Sequence, residues 1–124
     1  MRPKKDVAWR GDSRDIARAW PKPVRARLGD ELMRVQLGAN PFHGAALPDI
    51  GSGVCEIRLA SHGEAYRAIY VASLGAVIYV LHAFQKKSKH GIAIPKQDRD
   101  LAIQRYKALC VELAARQPSP GRTQ

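Results

Sequence analysis

The chain has 124 residues, 45% of them hydrophobic, a formal net charge of +10 and a sequence pI near 10.1. That length suits one domain, and that apolar fraction suffices for a packed core and argues against wholesale disorder. A surface so basic favours a polyanionic partner, because neutralised phosphates release condensed counterions, although charge alone does not separate RNA from DNA or an acidic protein.

The N-terminus, Met1-Arg2-Pro3-Lys4-Lys5-Asp6, has no apolar stretch behind its charges, so no signal peptide is expected. Asp6 to Arg10 alternates weakly and predicts a short first strand. Gly11-Asp12-Ser13 predicts a turn and a helix N-cap, with Asp15 in the first turn. This short helix is expected to bury Ile16, Ala19 and Trp20 and to stop at Pro21. Pro23 suits the first position of a second helix, where Val24, Leu28, Leu32 and Val35 share one face. Gly38 caps it, and Asn40-Pro41 ends the element.

Residues 41–53 read as a loop rich in Gly, Pro and Ala. Three strand-like runs follow, Val54 to Leu59, Tyr66 to Val71 and Ala76 to Phe84, with turns at Ser61-His62-Gly63-Glu64 and Ser73-Leu74-Gly75. They predict an antiparallel meander to whose edge the first strand can add. Ala68 to Leu81 is apolar but interrupted, shorter than the ~20 residues a membrane helix needs. A final helix is expected from near Pro95, with Asp98 and Asp100 in its first turn and Ala102, Tyr106, Leu109 and Leu113 buried. The order β-α-α-β-β-β-α predicts a single α+β domain over 1–117, a mostly antiparallel sheet with helices packed on one face. Residues 118–124 are expected to be a disordered tail.

The basic residues are unevenly placed, with ten Lys/Arg in residues 1–40, nine in 84–124, and only Arg58 and Arg67 between. On adjacent antiparallel strands, residues at matching heights lie about 5 Å apart. Arg58 and Arg67 can therefore share the sheet face expected to be free of helices, with Lys86 and Lys87 emerging beside them. A phosphate would relieve the repulsion within such a cluster, since arginine grips it as a planar fork and lysine as a point charge. Plainer roles exist for each residue. Arg58 can pair with Glu56 or Glu64 at the surface, Arg67 can snorkel, and Lys86, Lys87 and Lys89 can be a solvated strand exit.

Counting in twos from Phe84 puts His82 on one face with Val80 and Ile78. That suits a structural histidine, or an imidazole moving a proton at the site's edge. His43 and His62 sit in loops, and His90 follows the lysines. Cys55 and Cys110 match no metal-ligand or CxxC spacing and read as reduced core thiols of a cytosolic protein. No HxH, HExxH or Cys/His pairing occurs, so no metal or other cofactor is expected.

Glu56-Ile57-Arg58, then Tyr66-Arg67-Ala68-Ile69-Tyr70, then Val80-Leu81-His82-Ala83-Phe84-Gln85-Lys86-Lys87-Ser88 resembles the phage-derived HigB-like branch of the RelE/HigB toxin superfamily. The likeness runs from about Asp6 to Leu113. It implies a compact microbial-RNase-like domain and a toxin of a type II toxin–antitoxin pair. Such a toxin cuts messenger RNA on the ribosome and is neutralised by a cognate antitoxin, often a helix-turn-helix DNA-binding protein. Arg67 is similar to the strand arginine that contacts the scissile phosphate in that family, Arg58 to a basic residue on the neighbouring strand, and Lys86 and Lys87 to the basic pair ending the last strand. Lys89, Phe84 and Lys96 are expected to extend the RNA-binding surface, and His82 to assist catalysis. Glu56 stands where some relatives carry a second basic residue, and Ile94-Pro95-Lys96 where many carry a catalytic tyrosine or histidine.

The expected chemistry is metal-independent attack of the RNA 2′-OH on phosphorus, in the cytoplasm. The competing classes are a non-catalytic basic nucleic-acid-binding protein and an inactive toxin relative that acts only through its antitoxin complex.

Overall fold

A computed structural model describes residues 3–86 and 93–116. The strands form where period-two alternation lets one face be buried at a time. β1 is Asp6–Trp9, β2 Gly44–Ala46, β3 Val54–Ser61, β4 Glu64–Val71 and β5 Val77–Lys86. They make one five-stranded sheet in the order β1-β5-β4-β3-β2. The meander β3-β4-β5 is antiparallel, and β1 joins β5 in parallel at the edge. The fold is α+β, as the residue pattern predicts. The short strand β2 was not foreseen, because Gly44-Ala45-Ala46 carries no β-branched or alternating signal. It is a strand because the chain there runs beside β3 and pairs with it.

The β3–β4 turn is set by His62 at φ 51° and Gly63 at φ 79°. Two successive residues with positive φ match the strand twist in a two-residue hairpin, and glycine takes that conformation without strain.

Helices α1 (Ser13–Arg18) and α2 (Lys22–Gln36) cover one sheet face. Ala17, Trp20, Val24, Leu28, Leu32 and Val35 meet Ile57, Leu59, Tyr66, Ala68, Ile78 and Val80 there. The two-helix layer agrees with expectation, whereas helix α3 (Lys96–Arg116) covers part of the opposite face. Ala102 and Leu109 pack on Ile50, Val54, Ile69, Val71, Tyr79 and Leu81. Both sides of the central strands are apolar at that end, so both need a cover. The face carrying the arginines is therefore only partly open. Tyr106 is half-buried rather than buried, and its hydroxyl donates to the Ser52 carbonyl at 3.1 Å.

A bulge in β5 corrects a second expectation. Tyr70 pairs with Val80 but Ile69 pairs with His82, which leaves Leu81 as an extra residue. A bulge breaks the count of two. His82 consequently shares a face with Phe84, while Val80 and Ile78 face the helices α1 and α2.

The expected cap at α1 also differs. Asp12 makes no capping hydrogen bond, and the buried Ser13 hydroxyl donates to the Val80 carbonyl at 3.2 Å. Arg105 of α3 takes the Asp12 carboxylate instead, at 2.8 Å. That hydrogen bond holds the Asp12 carboxyl below its ordinary 3.8. A carboxyl depressed in the folded state stabilises it above the unfolded pKa and stops doing so as pH falls through the folded one. The Asp12→Asn variant is therefore expected to unfold at slightly lower urea than wild type at pH 7, by less than about 1 kcal/mol for so exposed a pair. Urea titrations stepped downward from pH 7 should show the two proteins converge below pH 3.8.

Candidate functional site

The β3–β4–β5 register orders the site in rows. Arg58 lies directly opposite Arg67, and Arg67 opposite Phe84. One row toward α3 stand Glu56, Ile69 and His82, and one row away stand Ala60, Ala65 and Lys86. All of these project from the sheet face opposite α1 and α2, so Arg58, Arg67 and Lys86 share one face, as expected, but Lys86 does not line the cleft that the two arginines line.

Glu56 sits between the two guanidiniums and is 0% exposed. Arg58 Nε donates to its Oε2 at 2.9 Å, and Arg67 Nη1 lies 3.7 Å from its Oε1. The pairing of Arg58 with Glu56 was anticipated at the surface. It occurs around a buried carboxylate shared with Arg67. Arg67 is only 7% exposed, and its Nε and Nη1 have no hydrogen-bond partner among the described residues. Burial, opposed by Glu56 and assisted by Arg58, pulls the Arg67 guanidinium below its ordinary pKa. An arginine still keeps its charge at neutral pH. Two cations around one carboxylate leave excess positive charge, and unpartnered buried N–H groups are costly unless an acceptor reaches them.

An open cleft of about 230 Å³ adjoins this cluster, lined by Arg27, His43, Arg58 and Arg67 together with Leu59, Ala60 and Ala65. His43 is brought there by two contacts. Its carbonyl accepts from the Arg58 amide at 2.8 Å, continuing the β2–β3 edge. Glu31, buried on α2, accepts from the Phe42 and His43 amides at 2.9 and 2.8 Å. The His43 side chain remains 67% exposed, with Nδ1 3.6 Å from Glu31. Arg27 donates to the Ala60 carbonyl and closes the third side.

Of the anticipated residues, Arg58 and Arg67 alone line this cleft among the described residues. His82 is buried and stacked on Phe84 at 5.4 Å. Its Nε2 meets Asp98 at 2.8 Å, and its Nδ1 faces Arg105 Nη1 at 3.3 Å. Arginine can only donate, so Nδ1 accepts and Nε2 carries the proton toward Asp98. Both ring nitrogens are thus engaged in joining β5 to α3. Phe84 is likewise buried, against the α3-side core. Lys96 is exposed at the start of α3 and pairs with Asp100 at 2.7 Å. Lys86 is buried on the Arg67 face. Lys87, Lys89 and the 118–124 tail lie outside the described residues.

A family described as phage-derived protein Gp49-like (DUF891) matches residues 15–107. The chain belongs to this Gp49-like family. The family is RelE/HigB-like and associated with toxin–antitoxin systems. A search of curated proteins found no match. The matched span contains the whole Gp49-like cleft, from Arg27 through Arg67, and the observed architecture is consistent with a compact RelE-like fold. Among the described residues no group of three or more His, Cys, Asp or Glu is arranged to hold a metal, and no helix is long and apolar enough to cross a membrane.

Residue-by-residue reasoning missed Arg27, Glu31 and His43 as site components and took Glu56 for a surface partner. Glu31 left one usable signal. It falls on the α2 face between Leu28, Leu32 and Val35, where a charge is buried only if something satisfies it. For Arg27 and His43 no local signal exists.

Removing one partner of a buried charge cluster leaves the others uncompensated. Glu56→Gln in this Gp49-like protein is therefore expected to lower unfolding stability by on the order of 3 kcal/mol. Urea denaturation followed by circular dichroism checks it, and a loss within error of zero would mean that Glu56 does not hold the two arginines.

Proposed function

We infer that the chain is a HigB-like toxin of a type II toxin–antitoxin pair that cuts RNA without a metal, in the cytoplasm. The observation that carries this reading is the pair Arg58 and Arg67, opposite each other on neighbouring strands and both lining an open cleft, with only one carboxylate, Glu56, between their two guanidiniums. Phosphate oxygens are the acceptors that a guanidinium fork matches best.

The reaction proceeds by attack of the substrate's 2′-oxygen on the adjacent phosphorus. The P–O5′ bond breaks as the P–O2′ bond forms, giving a 2′,3′-cyclic phosphate and a 5′-OH end. Arg67 and Arg58 stabilise the added negative charge of the pentavalent transition state, the electrostatic contribution that usually dominates. Arg27 and Lys86 supplement that field from the flanks. The 2′-OH must lose a proton and the leaving 5′-oxygen must gain one. His43, exposed in the cleft and anchored through Glu31, has a side chain free to make that transfer, whereas the nitrogens of His82 are occupied. DNA lacks the nucleophile and is not cut. Alignment of messenger RNA by the ribosome supplies orientation that so small a site cannot provide alone.

The Arg67→Ala variant is expected to lose about 10²–10³-fold in cleavage rate, the usual consequence of removing one transition-state donor. Rates on ribosome-bound messenger RNA, with the 3′ ends tested for cyclic phosphate, measure it. Undiminished cleavage by a folded Arg67→Ala protein rejects the site. RNA binding without cleavage by the wild type assigns the protein to the non-catalytic class. A second comparison concerns proton transfer: His43→Ala is expected to slow cleavage by about 10²–10⁴-fold with little loss of stability, and His82→Ala to lower stability more than it slows cleavage by the protein that remains folded.

A further inference from the structure

The outward side of the helix layer carries three features that RNA cleavage does not use. A groove of about 270 Å³ runs between α1 and α2, floored by Trp9, Ala17, Leu28 and Leu32. Arg14, Arg18 and Arg25 also line it; they are exposed, and among the described residues none of them has an ion-pair partner. The third feature is Gly29. It lies in the middle of α2, and a Cβ built on it would meet nothing within 4 Å. Glycine inside a helix costs about 1 kcal/mol relative to alanine. Among the described residues no contact makes use of its bareness, which suits close approach by another backbone.

These features join into one strip. Arg25, Gly29, Met33 and Leu37 follow at steps of four along one side of α2 and its C-cap. Met33 is 41% and Leu37 60% exposed, so the apolar surface continues past the groove. From Arg25 to Leu37 the strip is about 18 Å long, or three helical turns.

We propose that this strip docks an acidic amphipathic helix of the toxin's protein partner. The helix seats its apolar side over Gly29, Met33 and the groove floor, and turns its carboxylates toward Arg14, Arg18 and Arg25. The inference rests on the reading that the chain works with a protein partner, and it adds where and how that partner is held. RNA is a poorer occupant, since its phosphates suit the arginines but it brings no aliphatic surface to cover Met33 and Leu37. The strip lies on the α1/α2 side of the sheet, while Arg58 and Arg67 project from the other. Holding the partner and cutting RNA are therefore separable by mutation.

The test uses the protein encoded by the reading frame next to this chain's gene as the probe, titrated by fluorescence anisotropy against three full-length forms. These are wild type, Arg14→Glu/Arg18→Glu and Gly29→Gln. Each variant is expected to weaken binding at least tenfold, to cleave RNA at the wild-type rate without the probe, and to keep or raise the thermal midpoint. Binding that both variants leave unchanged overturns the docking strip and spares the partner reading. Failure of the wild type to bind the probe overturns the partner reading and the strip with it. Variants that keep the probe but lose affinity for a 20-nucleotide RNA assign the strip to nucleic acid, which also overturns the proposal.

Discussion

Two guanidiniums facing each other across neighbouring strands repel. Unit charges about 5 Å apart do so by roughly 3 kcal/mol at an effective dielectric near 20. The β3–β4 register holds the backbones of Arg58 and Arg67 directly opposite each other. Glu56, buried on the next row of the same face, offsets much of that repulsion with one negative charge for two positive ones. The residual positive charge beside the cleft is what an anion would offset. The rest of the site is arranged around that imbalance.

The sheet keeps the imbalance in place by being covered unevenly. On one side α1 and α2 bury a continuous apolar face. On the other, α3 covers only the end formed by Ile69, Val71, Tyr79 and Leu81. The polar row lies beyond this cover, and the cleft opens there. His82, Asp98, Arg105 and Asp12 form a chain of hydrogen bonds that fastens α3 to β5 and to the turn before α1. A histidine that looks catalytic in the sequence thus works as a joint. Glu31 plays the corresponding part at the opposite edge, where it holds the loop that carries His43 into the cleft.

The two surfaces lie on opposite faces of the sheet. The side partly covered by α3 gathers positive charge around a cleft, and the α1/α2 side presents an apolar strip edged with arginines that have no ion-pair partner among the described residues. On the proposed reading, a chain of 124 residues with a net charge of +10 holds its nucleic acid and its protein partner on different faces, so the two do not compete for one patch.

The meander, both helices before it, a first strand able to join its edge and the final helix were legible because each rests on local periodicity and turn chemistry, whereas the parallel direction of β1 beside β5 was not. The pairing of Arg58 with Arg67 followed from alternation alone once the hairpin turn was located. The phase of His82 was not legible, because a bulge at Leu81 leaves no mark in a count of two. β2 was missed because Gly-Ala-Ala has no strand signature, and the cover by α3 because a helix does not announce which face it will take. The amino-acid order by itself determined an α+β domain with opposed strand arginines and a strong positive charge. Tertiary structure alone decided that Glu56 would be sealed between them and that Arg27 and His43 would reach the same cleft. Contacts between residues distant in the chain depend on how layers pack, and no local pattern encodes that.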